Sequence, residues 1–259
     1  LRFDEVRVPA ANLLGTEGEG FRAITHNFTA ERFSMAALSL GFAWACYGEA
    51  LEWARQRRTF GQRLVDHQVV RHRFVDMLAQ IEATRALLED AREELAALLG
   101  ARPDEVIFTS GATEADNLAI KGVFEMYASK GNHIITCNIE HKAVLDTCKH
   151  IEKEGGEVTY LKVKENGLVD LAELEAAIKP TTILIAIMYA NNEIGTINPI
   201  KEISAIARKH GVLLFSDAVQ AVGKIPVDVN KDGIDLMAFT AHKMYGPKGV
   251  GALYVRRKN

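Results

Sequence analysis

Val106-Ile-Phe-Thr-Ser-Gly-Ala-Thr-Glu-Ala-Asp-Asn117 is the stretch on which the fold of this chain turns. An apolar, β-prone run ends in Thr-Ser-Gly, and helix-forming residues follow, so it reads as strand, glycine turn, helix. The same rhythm continues downstream. Short apolar runs at 133–137, 158–163, 183–189, 212–216, 235–240 and 251–255 alternate with helical segments at 114–129, 142–154, 171–178 and 200–210. Strands that are nearly all apolar, separated by helices, predict an α/β fold: a mostly parallel sheet with helices on both faces.

Upstream the pattern changes. From Phe21 to about Leu98 the glycines are Gly41, Gly48 and Gly61, and there is no proline. Apolar residues recur at helical spacing: Phe42, Ala45, Ala50 and Trp53, then Val70, Phe74, Met77, Ile81 and Leu88. Two long antiparallel helices are expected, broken at Thr59-Phe-Gly-Gln62, with the second running on through 87–99. Before them, Leu1 to Pro9 alternates like the end of a strand, and 12–20 is a glycine-rich loop. The alternation is already under way at Leu1, as in a segment cut from a longer chain. The cations sort by half. Residues 1–90 hold 11 Arg and no Lys, whereas 91–259 hold 15 Lys and 5 Arg. Two parts are therefore expected, 1–90 and 91–259, each read against its own chemistry.

Composition excludes several classes. A net charge of −3 gives no electrostatic pull toward nucleic acid or an anionic membrane. The longest strongly apolar run, 183–190, is too short to span a bilayer, and no signal peptide is visible. Cys46, Cys137 and Cys148 make an odd count with no CxxC pair, which argues against a disulfide framework or zinc site. A reducing, cytoplasmic location is expected.

Four segments carry chemistry. In Thr240-Ala-His-Lys-Met-Tyr-Gly-Pro-Lys-Gly-Val-Gly251, Lys243 follows a buried strand beside a histidine and a glycine-rich turn. That suits a Schiff base with pyridoxal phosphate; a solvated loop lysine is the alternative. The turn before Thr113 aims backbone amides and a hydroxyl at an anion, or is a plain helix cap. Asp217 ends an apolar strand, where a carboxylate needs a cation such as a pyridinium N–H, unless it only caps a turn. His141 follows a strand, placed to stack on a flat ring or to start a helix.

Taken together, Phe108-Thr-Ser-Gly-Ala-Thr-Glu114, Glu140-His-Lys-Ala-Val144, Asn191-Asn-Glu-Ile-Gly195, Asp217-Ala-Val-Gln220 and His242-Lys-Met-Tyr-Gly-Pro-Lys-Gly-Val-Gly251 closely resemble the group I cysteine desulfurases. These are class V members of the fold-type I pyridoxal-phosphate enzymes. The resemblance covers about 91–259 and implies that family's large domain. It implies that Lys243 carries the cofactor, Asp217 pairs with the ring nitrogen and His141 stacks on the ring. Asn192 and Gln220 would hold the ring edge, and Ala112, Thr113, Thr240 and His242 the phosphate side. Thr240 stands where the family usually has Ser, which keeps the hydroxyl. The implied substrate is L-cysteine, converted to L-alanine with sulfur passed on for iron–sulfur cluster assembly. The family's nucleophilic cysteine lies in a downstream segment that the chain does not include, as do its small domain and carboxylate-binding arginine. The N-terminal arm is missing as well. Cys137 and Cys148 read as small core residues. No desulfurase turnover is expected from this chain.

Residues 1–90 resemble another family. Phe3-Asp-Glu-Val-Arg-Val-Pro9, Asn12-Leu-Leu-Gly15, Glu31-Arg-Phe33 and Arg57-Arg-Thr-Phe-Gly61 through Gln68 are similar to the acyl-CoA dehydrogenases, where their C-terminal helical domain begins. The resemblance implies FAD contacts from Arg57, Thr59, Phe60 and Gln68, acyl-CoA beside Arg32, and Glu31 as an α-proton base. On the residues alone, Glu31 equally suits an exposed first helical turn, and Arg57 a solvated helix end. Most of that fold is missing, so productive FAD binding is not expected. Three readings follow: a desulfurase large domain with a helical appendage, an acyl-CoA dehydrogenase fragment, or a non-catalytic chimera or interaction module. A homo-oligomer is implied by either family.

Overall fold

A computed structural model describes residues 20–244, 246 and 248–257, with side chains from residue 38 onward. The strand expected over 1–9 and the loop expected up to 19 lie outside the described residues. Two long helices, α1 (Gly20–Gln56) and α2 (Gln68–Leu99), are joined through a short hairpin of β1 (Arg58–Thr59) and β2 (Gln62–Arg63). Phe60 and Gly61 sit at its tip with φ of 50° and 82°, so the chain reverses where the break was expected. Ala54, Ile81 and Leu88 are buried between the helices, and the Tyr47 and Phe74 rings meet edge-on at 5.6 Å.

α2 passes without interruption through the expected division near residue 90. It stops at Gly100, whose left-handed backbone (φ 67°, ψ 22°) lets the N–H groups of Gly100 and Ala101 return to the carbonyls of Ala97 and Ala96. A side chain in that conformation costs about 1 kcal/mol. The carbonyl of Leu99 then accepts the N–H of Val229, which fastens the helix end to the α/β part.

Seven strands follow: β3 (Val106–Thr109), β4 (His133–Cys137), β5 (Glu157–Leu161), β6 (Thr182–Ala186), β7 (Leu213–Asp217), β8 (Leu236–Thr240) and β9 (Gly251–Val255). They form one sheet in the order β3-β9-β8-β7-β6-β4-β5. β9 runs antiparallel to both neighbours, and the remaining pairs are parallel. The helices between them are α3 (Ala112–Met126), α4 (Lys142–Lys153), α5 (Leu171–Ala176) and α6 (Ile200–Lys209).

Strand alternation sends successive residues to opposite faces, and each face has its own core. Ile134, Leu184 and Phe215 pack under Ala119, Ile120 and Val123 of α3 and Val144, Cys148 and Ile151 of α4. Ile135, Ile185 and Leu214 pack on the other side against Leu174 of α5, Ile203 and Ala207 of α6, and Ala96 and Leu99 of α2. The end of α2 is therefore part of the layer that covers the sheet. Expected and observed elements differ mainly at their ends. The run expected as strand to 189 leaves the ladder after Ala186, though Ile187 and Tyr189 still donate to the carbonyls of Phe215 and Asp217. Among the described residues, no helix is long and apolar enough to cross a membrane.

Candidate active site

The carboxyl ends of the parallel strands face one crevice, where ligands of open α/β sheets bind. A cavity of about 560 Å³ opens there. Asp217, at the end of β7, forms part of its wall, and Thr240, His242 and Lys243 enter from the turn after β8. Ala112 and Thr113 come from the first turn of α3, His141 from the start of α4, and Asn192 and Gln220 from the loops after β6 and β7. All nine residues expected to surround the cofactor thus line one cavity.

Local structure explains each position. The turn into α3 lies directly on β9: a Cβ built on Gly251 would stand 2.7 Å from Gly111 backbone atoms and 2.8 Å from the carbonyl oxygen of Phe239. That contact holds the first turn of α3, whose N–H groups have no intrahelical acceptors, against the cavity. His141 is also the N-cap of α4, its Nδ1 accepting the Ala143 N–H at 3.2 Å. The helix-start reading of His141 is therefore observed, and its proton sits on Nε2 when the ring is neutral. Thr240 Oγ donates to the Val250 carbonyl at 3.0 Å and meets His242 Nδ1 at 2.9 Å, so that nitrogen carries a proton. Burial and the ammonium groups of Lys243, Lys248 and Lys224 lower the pKa of His242.

Asp217 is buried, and one carboxylate oxygen accepts the Val219 N–H at 3.0 Å. Burial raises its pKa, while that hydrogen bond and His141 act in the opposite direction. Three further residues lie in or beside the site without a role read from their sequence. Glu140, fully buried, accepts the N–H of Met188 at 2.7 Å and the Cys137 thiol at 3.0 Å, tying the β4–α4 turn to the segment after β6. Burial pushes its pKa up to about 8. Asn191 accepts the N–H groups of Glu193 and Ile194 and donates to the Ile139 carbonyl, fixing the loop that presents Asn192. Asp116, on α3, has one carboxylate oxygen in a cluster with an Asp217 oxygen and a His141 ring nitrogen, all within 4.8 Å of one another. A charged residue on the apolar face of a helix was the available signal for Asp116.

The donor set suits a flat, phosphorylated, cationic-nitrogen cofactor better than a metal. It offers a buried carboxylate for the nitrogen, a helix N-terminus for the phosphate, and an amine in the same cavity. Cys137 and Cys148 are buried, and burial pushes both thiols up, Cys148 to about 12. Cys46 is exposed on α1. Arg57, Thr59, Phe60 and Gln68 gather at the α1–α2 turn and do not line this cavity. Thr59 Oγ lies 3.0 Å from His67 Nε2, and Phe60 is 97% exposed. Glu31 and Arg32 fall on α1, but their side chains lie outside the described residues.

Comparison with known proteins gives the same picture. A family model described as "Aminotransferase class-V" matches residues 61–259. That match begins well before residue 91, within the helical part. The chain is 60% identical over 168 residues to a cysteine desulfurase IscS of Pectobacterium carotovorum, covering 65% of this chain and 42% of that protein. It is 59% identical over 172 residues to a probable mitochondrial cysteine desulfurase of Dictyostelium discoideum, covering 66% of this chain and 38% of that one. Among solved structures, "SspA in complex with cysteine" matches with a TM-score of 0.65 and 47% identity, over 68% of this chain and 51% of that one. A "NIFS-like protein" matches with a TM-score of 0.67 and 43% identity, over 69% and 50% respectively. The chain thus spans about half the length of the relatives it matches.

Proposed function

The chain belongs to the class-V aminotransferase family, whose cofactor is pyridoxal phosphate, and on that footing we propose that it provides the cofactor-holding large domain of a cysteine desulfurase. The observation that carries the reading is the convergence of Lys243, Asp217 and the first turn of α3 on one cavity. Bound there, pyridoxal phosphate supplies an electron sink for negative charge developing on the substrate α-carbon. Lys243 Nζ is the amine that would hold the cofactor covalently and would move a proton at that carbon. Asp217 accepts the ring N–H, and this cation offsets the cost of burying a carboxylate. His141 would stack on the ring, and Asn192 and Gln220 would hold its edge. The amides of Ala112 and Thr113, with Thr240 and His242, hold the phosphate.

L-Cysteine is the proposed substrate, on the strength of the named relatives. The sulfur-accepting thiol is assigned to none of Cys46, Cys137 and Cys148, because the last two are buried and neutral and Cys46 stands on α1, away from the cavity lining. Sulfur transfer then needs a thiol from outside these 259 residues. A second reading concerns the helical part alone. Its support is the sequence motifs alone, with Arg57, Thr59, Phe60 and Gln68 at the turn of the hairpin, which resemble an acyl-CoA dehydrogenase. Retention of FAD by the purified chain through gel filtration would support an origin in that family, and its loss would leave only the motifs.

The test of the main reading is chemical trapping. The chain is mixed with pyridoxal phosphate, reduced with borohydride, digested and mapped by mass spectrometry. One phosphopyridoxyl group on Lys243, absent from Lys243→Ala, is expected. No adduct, or adducts scattered over many of the 15 lysines, would sink the proposal.

A further inference from the structure

Asp116 is the feature of the site that the proposed chemistry leaves unused. It lies on the sheet-facing side of α3 beside Ala115, Ala119 and Ile120, with no solvent exposure. Neither carboxylate oxygen has a hydrogen-bond partner among the described residues. An ionised carboxylate in that position is among the costliest groups a protein can bury. Two of its neighbours, Asp217 and Glu140, oppose a further negative charge. Asp217 approaches from the end of β7, and Glu140 and His141 from the β4–α4 turn. The thiols of Cys137 and Cys148, in the same region, are held neutral by burial.

Asp217 is placed differently. It accepts a backbone N–H, lies within reach of the His141 imidazole, and opens into the cavity. Two buried carboxylates this close share protons, and the last proton stays on the group with fewer donors around it.

We propose that Asp116 is a positioning residue, a carboxylic acid that keeps its proton at neutral pH so that Asp217 can be the single anion of the pair, facing the ring nitrogen. The role given to Asp217 rests on the pyridoxal phosphate reading; the location of the proton does not. Burial, then Asp217, then Glu140 hold the Asp116 pKa far above the usual carboxylate range. A second fixed anion behind Asp217 would oppose ionisation of Asp217 itself. A neutral Asp116 removes that opposition without removing the polar group.

The experiment is isotope-edited infrared spectroscopy on the full chain labelled with aspartate carrying ¹³C in its carboxyl group. At neutral pH the cofactor-free protein is expected to show the carbonyl stretch of a protonated carboxyl. That band should persist when pyridoxal phosphate is added, and vanish in Asp116→Asn, which is isosteric and uncharged. Absence of the band from the wild type, its survival in Asp116→Asn, or its loss on adding cofactor would overturn the proposal. If Asp116→Asn does not fold, Asp217→Asn asks the same question. The band then remains if Asp116 holds the proton, and its disappearance would place the proton on Asp217. Failure of pyridoxal phosphate to bind would sink the proposed function while leaving the cofactor-free band readable, so the two failures are distinct.

Discussion

Replacing Leu99 with alanine asks whether the second helix belongs to the α/β domain or only leads into it. Leu99 is 0% exposed and lies in the core cluster with Leu174, Ile203 and Val229, whereas the adjacent Leu98 is 52% exposed. Truncating a fully buried leucine removes its transfer free energy and leaves a cavity, together about 2–5 kcal/mol. That is a large share of the roughly 5–15 kcal/mol that holds a domain together. For a chain of this size a loss of about 3 kcal/mol lowers Tm by roughly 6–12 °C. Leu98→Ala removes the same atoms from solvent and should change stability by no more than about 0.5 kcal/mol. Thermal melts followed by near-UV circular dichroism, which reports the packed aromatic core, compare the two variants. Equal, small shifts in both would refute the claim that α2 closes one face of the sheet.

Three other outcomes are expected. Glu140 has its pKa raised to about 8 by burial, so the folded state holds its proton where the unfolded state has lost it. Its stabilising contribution is complete below the ordinary carboxylate range and falls as pH rises from there through about 8. His133 and His242, lowered by burial, act with the opposite sign, so the informative quantity is the difference between wild type and Glu140→Gln. Urea midpoints of the cofactor-free protein should fall less steeply with pH in the variant, and parallel slopes would show that Glu140 is already ionised. Thr240→Ala leaves His242 Nδ1–H without its acceptor and should cost about 1–3 kcal/mol and weaken pyridoxal phosphate binding. Thr240→Ser should retain both, and equal losses in the two variants would remove the hydroxyl from the argument. Gly251→Ala drives a methyl into the Gly111 backbone and should cost about 1–3 kcal/mol along with cofactor affinity. Gly48→Ala, which meets nothing within 4 Å, should stabilise α1 by up to about 1 kcal/mol; a harmless Gly251→Ala would mean the α3 turn is not seated on β9.

Local pattern was enough to read most of the elements and to single out candidate residues. Hydrophobic period is a local property, so 133–137 read as a buried strand and 142–154 as a helix without knowing what either would touch. Lys243, Asp217 and His141 stood out because each sits at a strand or helix end, but position alone left a loop lysine, a turn carboxylate and a helix-start histidine open, and their roles come from the family resemblance of the joint motifs. The break at 59–62 was equally legible, from Gly61 between two helical patterns.

Tertiary structure decided what depends on distant partners. The place of β9 beside β3 is fixed by pairing across more than 140 residues of chain, which no local pattern encodes, whereas its pairing with β8 bridges only the ten residues 241–250. Glu140 read as one motif letter; its work is to accept the Met188 N–H 48 residues away. Asp116 read as an ordinary helix residue until folding put it within 4.8 Å of Asp217, 101 positions on, in a place where solvent cannot stabilise two charges. The sorted cations suggested a division near residue 90, and the residues of α2 that pack on the sheet, Ala96 and Leu99, fall on its C-terminal side. Composition records how a chain is written, while burial depends only on which surfaces meet.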